Sequence, residues 1–329
     1  MKVKLIAVLA VISVLLIAVA LQQQNDDRVD DLQSRQLLSE EQLTVVNQMD
    51  NLVVAKAGVE VEVVRDGGRW GVVSKNMFPA QPERIAALLH AVRGARVTAA
   101  QTDNPEYHAR LGLDTSAPQN ATLRVTMGAG EESVGIIYGN PVGSGQVVRF
   151  ADENQVWLIN RPFGMTVNDV EWLDLQVTQI PMTQAASARW THADGEVLEV
   201  EKAKEGDYNF RLAGVEQADQ QGNERWTNSM VLALIDLRAQ DVKLRSELEL
   251  ELDEPMLQMQ VRTWSGAELE ASLYDIDGKY WLLVDHFEQP EDSNLGVNAD
   301  ERWAFQLGIG QVENLNKRQS DIVRGGESD

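Results

Sequence analysis

Chemistry in this chain has to come from carboxylates and a handful of histidines. Its 329 residues include four histidines and no cysteine, which removes disulfides, thiol catalysis and cysteine-ligated metals. His90, His108, His192 and His286 stand too far apart for the spacing of a metal motif or a triad, and a lone histidine is more often structural. Asp275-Ile276-Asp277-Gly278 opens like a calcium loop, but the twelfth position is His286 rather than a glutamate. The same residues favour a tight hairpin turn. The glycine-rich run from Gly139 to Gly145 lacks the Lys and Ser/Thr of a phosphate loop and falls between expected strands, so a flexible hairpin loop is expected there. No Gly-x-Ser-x-Gly elbow occurs. The expectation is a non-catalytic protein with no cofactor and no metal.

The residues that remain point to contacts with a partner. Glu247, Glu249 and Glu251 alternate with Leu248, Leu250 and Leu252, which on a strand places three carboxylates on one face. Such a row is either a surface for a basic partner or a solvated face whose like charges discourage edge pairing, and the solvated face is the commoner case. Eight tryptophans are spread along the chain. Most are expected in cores, whereas Trp172 and Trp303, near the ends of two similar halves, are candidates for packing between units or against a partner.

The elements that would carry these residues begin with a hydrophobic run. Residues 5–21 are uncharged, contain no Pro or Gly, and follow Lys2 and Lys4. As a helix they would span roughly 25 Å, at the short end for a bilayer. Asp26, Asp27, Asp30 and Asp31 follow, against Arg28 alone, so the positive flank keeps the N-terminus in the cytoplasm and the body is exported. An uncleaved anchor is favoured over a signal peptide cut near Ala18-Val19-Ala20, because the run is longer than a typical signal core. The formal net charge is −22, from 29 basic and 51 acidic side chains. With Lys2 and Lys4 left inside, the exported part is more acidic still. That balance argues against nucleic acid as a partner.

Beyond a polar spacer, two stretches of similar order follow. Ser39 and Gln42 fit a capping box for a helix over 40–47. Strands are expected at 52–56, 59–63 and 69–74, with a turn at Asp66-Gly67-Gly68, then a helix from Pro82 that Gly94 would end in the left-handed conformation, then a strand at 96–100. A short helix over 104–110 leads into a four-stranded meander between 122 and 160. The order recurs about 140 residues later: strands at 188–191, 197–202 and 208–212, a helix over 224–237, strands at 257–263, 268–274 and 279–284, and a closing helical segment over 302–315. The run from Leu232 to Val242 lines up with the run from Ala87 to Val97. The second copy has no evident counterpart of residues 104–114 and inserts a polar stretch at 288–300. The expected architecture is α+β: tandem duplicated units, each a mostly antiparallel sheet with one main packed helix, after an N-terminal transmembrane helix. The expected boundaries are an anchor or signal peptide at 1–21, a spacer and short helix at 22–48, a first unit at 49–180, a second at 181–316, and a polar tail at 317–329.

Several motifs occur in an order that resembles a known family. They are Trp70-Gly71-Val72-Val73, Phe78-Pro79-Ala80, the run from Arg84 to Leu89, Ala95-Arg96-Val97, and the run Asn104-Pro105-Glu106-Tyr107-His108-Ala109-Arg110-Leu111-Gly112-Leu113-Asp114. Together they resemble the domain of unknown function 4340 family over about residues 40–180, and more weakly beyond. The resemblance implies a bacterial protein held in the inner membrane by one pass, with its body in the periplasm. It implies an accessory role beside the permease and ATPase subunits of an ABC-type transporter of the gliding-motility kind. It supplies no catalytic residues. The alternative expectation is a periplasmic module that binds a polysaccharide, lipid or peptide.

Overall fold

The computed structural model describes residues 35–116, 122–215, 224–248 and 254–326. The expected anchor at 1–21 lies outside the described residues, as do Glu249 and Glu251. Among the described residues no helix is long and apolar enough to cross a membrane. The architecture is sheet-rich α+β, with antiparallel pairing throughout and few helices.

The chain divides into two compact units between Trp172 and Leu173. The first holds β1 (Arg35–Gln36), α1 (Glu40–Asn47), β2 (Asn51–Lys56), β3 (Val59–Asp66), β4 (Arg69–Val72), β5 (Phe78–Pro79), α2 (Pro82–Arg93), β6 (Arg96–Ala100), β7 (Leu123–Ala129), β8 (Glu132–Val142), β9 (Gly145–Phe150) and β10 (Val156–Ile159). The second holds β11 (Gln176–Gln179), β12 (Ala185–His192), β13 (Val197–Glu201), β14 (Arg211–Leu212), α3 (Glu224–Ile235), β15 (Asp236–Arg238), β16 (Asp241–Leu244), β17 (Leu257–Thr263), β18 (Glu268–Ile276), β19 (Lys279–Glu288), β20 (Gly296–Val297), β21 (Trp303–Leu307), α4 (Ile309–Leu315) and α5 (Gln319–Gly326). Residues 176–179, at the end of the expected first unit, pair instead with β15 and β20 and so belong to the second.

The two main sheets have the same strand order. In the first it runs β4-β3-β2-β7-β8-β9-β10-β6, and in the second β14-β13-β12-β17-β18-β19-β21-β16. In both, three strands joined as hairpins precede the main helix, and one strand then crosses to the far edge before the meander begins. Alternation explains the inner layer. Leu52, Val54, Val125 and Met127 are buried in the first sheet, and Trp190, Leu257, Met259 and Leu269 in the second. The first sheet gains β1, paired with β6, and β5, paired with β4.

Local signals account for most of the elements. Ser39 and Gln42 form the expected capping box at the start of α1. Pro82 sits at the first turn of α2, whose Ile85, Leu88 and Val92 are buried. Asp277 and Gly278 both have positive φ, as the tight turn between β18 and β19 requires, and Asp275 accepts the Gly278 N–H at 3.0 Å. Four local expectations are corrected. Gly94 stays right-handed at φ −85°, with its N–H on the His90 carbonyl, so helical geometry runs on through it. Gly139 to Gly145 is not a loop: β8 continues through a bulge to Val142, opposite Gly145. The closing segment is half strand, since Trp303, Phe305 and Leu307 are buried in β21 and only Ile309–Leu315 is helical. The polar tail carries a helix, α5, anchored by the fully buried Ile322.

Candidate functional site

The densest polar construction lies in the first unit, where residues 104–115 fold over the outer face of β8, β9 and β10. Asn104 accepts the Glu106 N–H at 3.0 Å and, with Pro105, starts a 3-10 turn over Pro105–Tyr107 rather than the longer helix expected. The turn places His108 in a buried position, where Nε2 lies 3.0 Å from the Asn154 carbonyl oxygen. Gly112 follows with φ +69°, and a Cβ there would stand 2.6 Å from the Asn140 side-chain oxygen. Asn140 ties the stretch down by donating its backbone N–H to Leu111 O at 2.7 Å and its amide to Arg110 O at 3.1 Å. Gly139 is needed for a second reason: a Cβ would collide with the Leu111 carbonyl and with the Leu113 and Val147 side chains.

Leu113 is the hydrophobic end of this clamp. It is fully buried with Ile137, Val147 and Val156. Arg149 holds the same place from below. Its guanidinium donates to Leu113 O at 3.3 Å, Phe150 O at 3.1 Å and Glu153 O at 3.2 Å. Burial, then Arg124, lower this guanidinium from its ordinary value, and Asp114 opposes them.

A cavity of about 510 Å³ opens beside the clamp, walled by Gly112, Asp114, Lys56, Tyr138, Gln146 and Phe163. Tyr138 and Phe163 meet edge to face at 5.0 Å. Tyr138 Oη is buried and makes no hydrogen bond of normal geometry. Burial pushes the phenol far above its ordinary value, and the nearby Phe163 backbone offsets only part of the rise. The cavity can hold a small ligand between a cation, a carboxylate and an aromatic edge.

The predicted contact residues lie elsewhere. Trp172 is fully buried, donates Nε1–H to Thr166 O at 3.1 Å, and carries the Arg84 guanidinium over its ring at 5.0 Å. Trp303 is buried on β21, with Nε1–H on Asp300 at 3.2 Å. Both rings are buried, and both indole N–H groups are satisfied by residues a few positions away. Glu247 lies in a 3-10 turn over Arg245–Glu247, not on a strand, so no described strand presents the carboxylate row. Of the other histidines, His90 and His286 are exposed, and His192 is buried on β12. Sequence reasoning gave no role to Tyr138, Asn140, Gln146 and Arg149; the signals there were the glycines around them and the family pattern at Ile137-Tyr138-Gly139 and Val148-Arg149.

A crossover segment in the second unit does the work of this clamp with less chain. The Arg245–Glu247 turn brings Leu248 onto Trp281, Leu283 and Ala304. Among the described residues, this turn and Leu248 are the counterpart of residues 104–114.

Two sheet-rich units of one strand order, with a family motif used as a clamp, define a tandem α+β protein. The chain belongs to the family described as domain of unknown function 4340, whose model matches residues 70–255, more than half its length. The match runs from β4 through α3 and β16, so it takes in both units rather than mainly the first. Searches of curated proteins and of solved structures return no match.

Proposed function

We propose that the chain is a non-catalytic accessory subunit of an ABC-type transport or export system. One N-terminal pass holds it in the bacterial inner membrane, with the N-terminus in the cytoplasm and the tandem, duplicated body in the periplasm. The association is what the resemblance of the motifs implies, and Lys2 and Lys4 before an uncharged run support the orientation. The observation that carries the non-catalytic reading is the use made of the motif's polar groups. His108 and Arg149 bind main-chain carbonyl groups, so the imidazole and guanidinium hold backbone in place instead of facing a substrate. Affinity purification of the full-length chain from detergent-solubilised membranes tests the proposal. Permease and ATPase subunits at fixed stoichiometry are the expected result, and recovery of the chain alone overturns it.

The second reading, a periplasmic module that binds a polysaccharide, lipid or peptide fragment, is favoured by the cavity beside Tyr138. It requires ligand-induced thermal stabilisation that Tyr138→Phe weakens.

A further inference from the structure

The two units share a strand order but not a charge. Residues 1–172 carry 15 basic and 20 acidic side chains, a net of −5, and residues 173–329 carry 14 and 31, a net of −17. The outer faces of the two sheets also differ. In the first unit the 104–115 stretch lies on the meander. In the second unit, among the described residues, Leu248 covers the region of Trp281, Leu283 and Ala304. The outer side chains of β12, β17, β18 and β19 are left around an open cleft of about 240 Å³. Glu270 and Asp285 stand in it with Gln258, Gln260, Ser272 and Arg189, and Arg245 lies close enough to Asp285 to act on its charge.

The chemistry of the cleft favours a positive guest. Gln260 holds Glu270 in place, donating its amide to the carboxylate at 3.1 Å. Asp285 is partly buried; burial raises its carboxyl above the ordinary value, the Ser272 hydrogen bond and then Arg245 oppose the rise, and Glu270 adds to it. A carboxyl in that state gains when a cation arrives. The strongly negative unit supplies long-range attraction for the same sign of partner. Four strands at about 4.8 Å spacing give a face wide enough for several residues of polypeptide.

We propose that the outer face of the second sheet is a docking surface for a basic polypeptide segment of a partner, with a Lys or Arg side chain seated between Glu270 and Asp285. The ammonium or guanidinium group supplies several N–H donors, and the two carboxylates with the Gln258 and Gln260 amides supply acceptors. Arg189 limits the charge the site accepts.

The test uses the full-length chain in detergent and a fluorescein-labelled Lys/Arg-rich decapeptide, titrated by anisotropy at two salt concentrations. The proposal expects salt-sensitive binding that the pair Glu270→Gln and Asp285→Asn weakens roughly tenfold. The exposed pair Glu131→Gln and Glu132→Gln, the same charge change on the first unit, leaves affinity within about twofold. Arg189→Gln strengthens binding, a gain that misfolding cannot mimic. The proposal is overturned by absence of peptide binding to the wild-type chain, or by equal losses from both pairs, which would mean diffuse attraction to an acidic body. It is also overturned if Arg189→Gln weakens binding, which would mean an anionic guest.

Discussion

In the first unit Leu113 reaches the outer face of the sheet on a stretch pinned by Asn140, His108 and Arg149; in the second, Leu248 reaches the corresponding place at the end of a single 3-10 turn. The hydrophobic requirement is the same in both. A meander that is apolar on both faces needs a cover, and one leucine from the crossover meets the minimum. The first unit spends a dozen residues and a buried guanidinium on that cover. In the second, the described residues supply one turn, with an open polar cleft on the same sheet. A covered face stabilises, and an open one can meet a partner.

The comparison can be broken by removing each leucine. Leu113→Ala should destabilise the first unit by roughly 3–4 kcal/mol, the upper part of the range for a fully buried leucine. Leu248→Ala, at a less enclosed site, should cost roughly 2 kcal/mol. Urea unfolding followed by tryptophan fluorescence measures both, and equal costs would contradict the difference in cover. Gly139→Ala comes next, at about 2–3 kcal/mol, because its Cβ meets the Leu111 carbonyl and the chain must shift. Arg149→Met should cost about 2 kcal/mol by leaving the buried carbonyl of residue 113 without its guanidinium donor, again read from urea midpoints.

The smallest effect separates the C-terminal helices from both sheets. Arg318 bonds to Asp194 at 2.7 Å and to Glu196, clasping the start of α5 to the turn between β12 and β13. A backbone N–H and Arg318 hold the Asp194 carboxyl below its ordinary value, and Arg318 with the Gln319 N–H does so for Glu196. Depressed carboxyls contribute stability that is complete above the ordinary carboxylate range and is lost as pH falls below it. Amide shifts of α5 followed by NMR through an acid titration should therefore move at low pH. Arg318→Gln should make that movement smaller without changing the urea transitions of the sheets.

What the sequence revealed divides along the same line. Elements with local punctuation were legible: the Ser39 and Gln42 box, Pro82 at the start of α2, the Asp277-Gly278 turn, and the period-two run of β17, found over the residues expected. The alignment of Val97 with Val242 also anticipated the equivalence of β6 and β16, which occupy the same place in the two sheet orders. Features that depend on distant partners were not legible. Trp303–Leu307 alternates, but its strand identity comes from pairing with β16 and β19, some 60 and 25 residues away. Trp172 and Trp303 stood out because large aromatics near unit ends can face partners; their burial and their N–H bonds to Thr166 and Asp300 depend on the folded chain. The clamp motif was legible as a motif. Its purpose was not, because a histidine that caps a carbonyl and one that binds a ligand look alike in one dimension.

Native-state hydrogen exchange on the full-length chain, read peptide by peptide by mass spectrometry, tests most directly whether the family motif is a structural clamp. The account predicts that amides of residues 111–113 and of 140, which bond within the clamp, exchange with the slow strands β8 and β9, and that Leu113→Ala releases them together. Exchange of residues 111–113 at the rate of exposed loops in the wild-type chain, with β8 and β9 still protected, would contradict it.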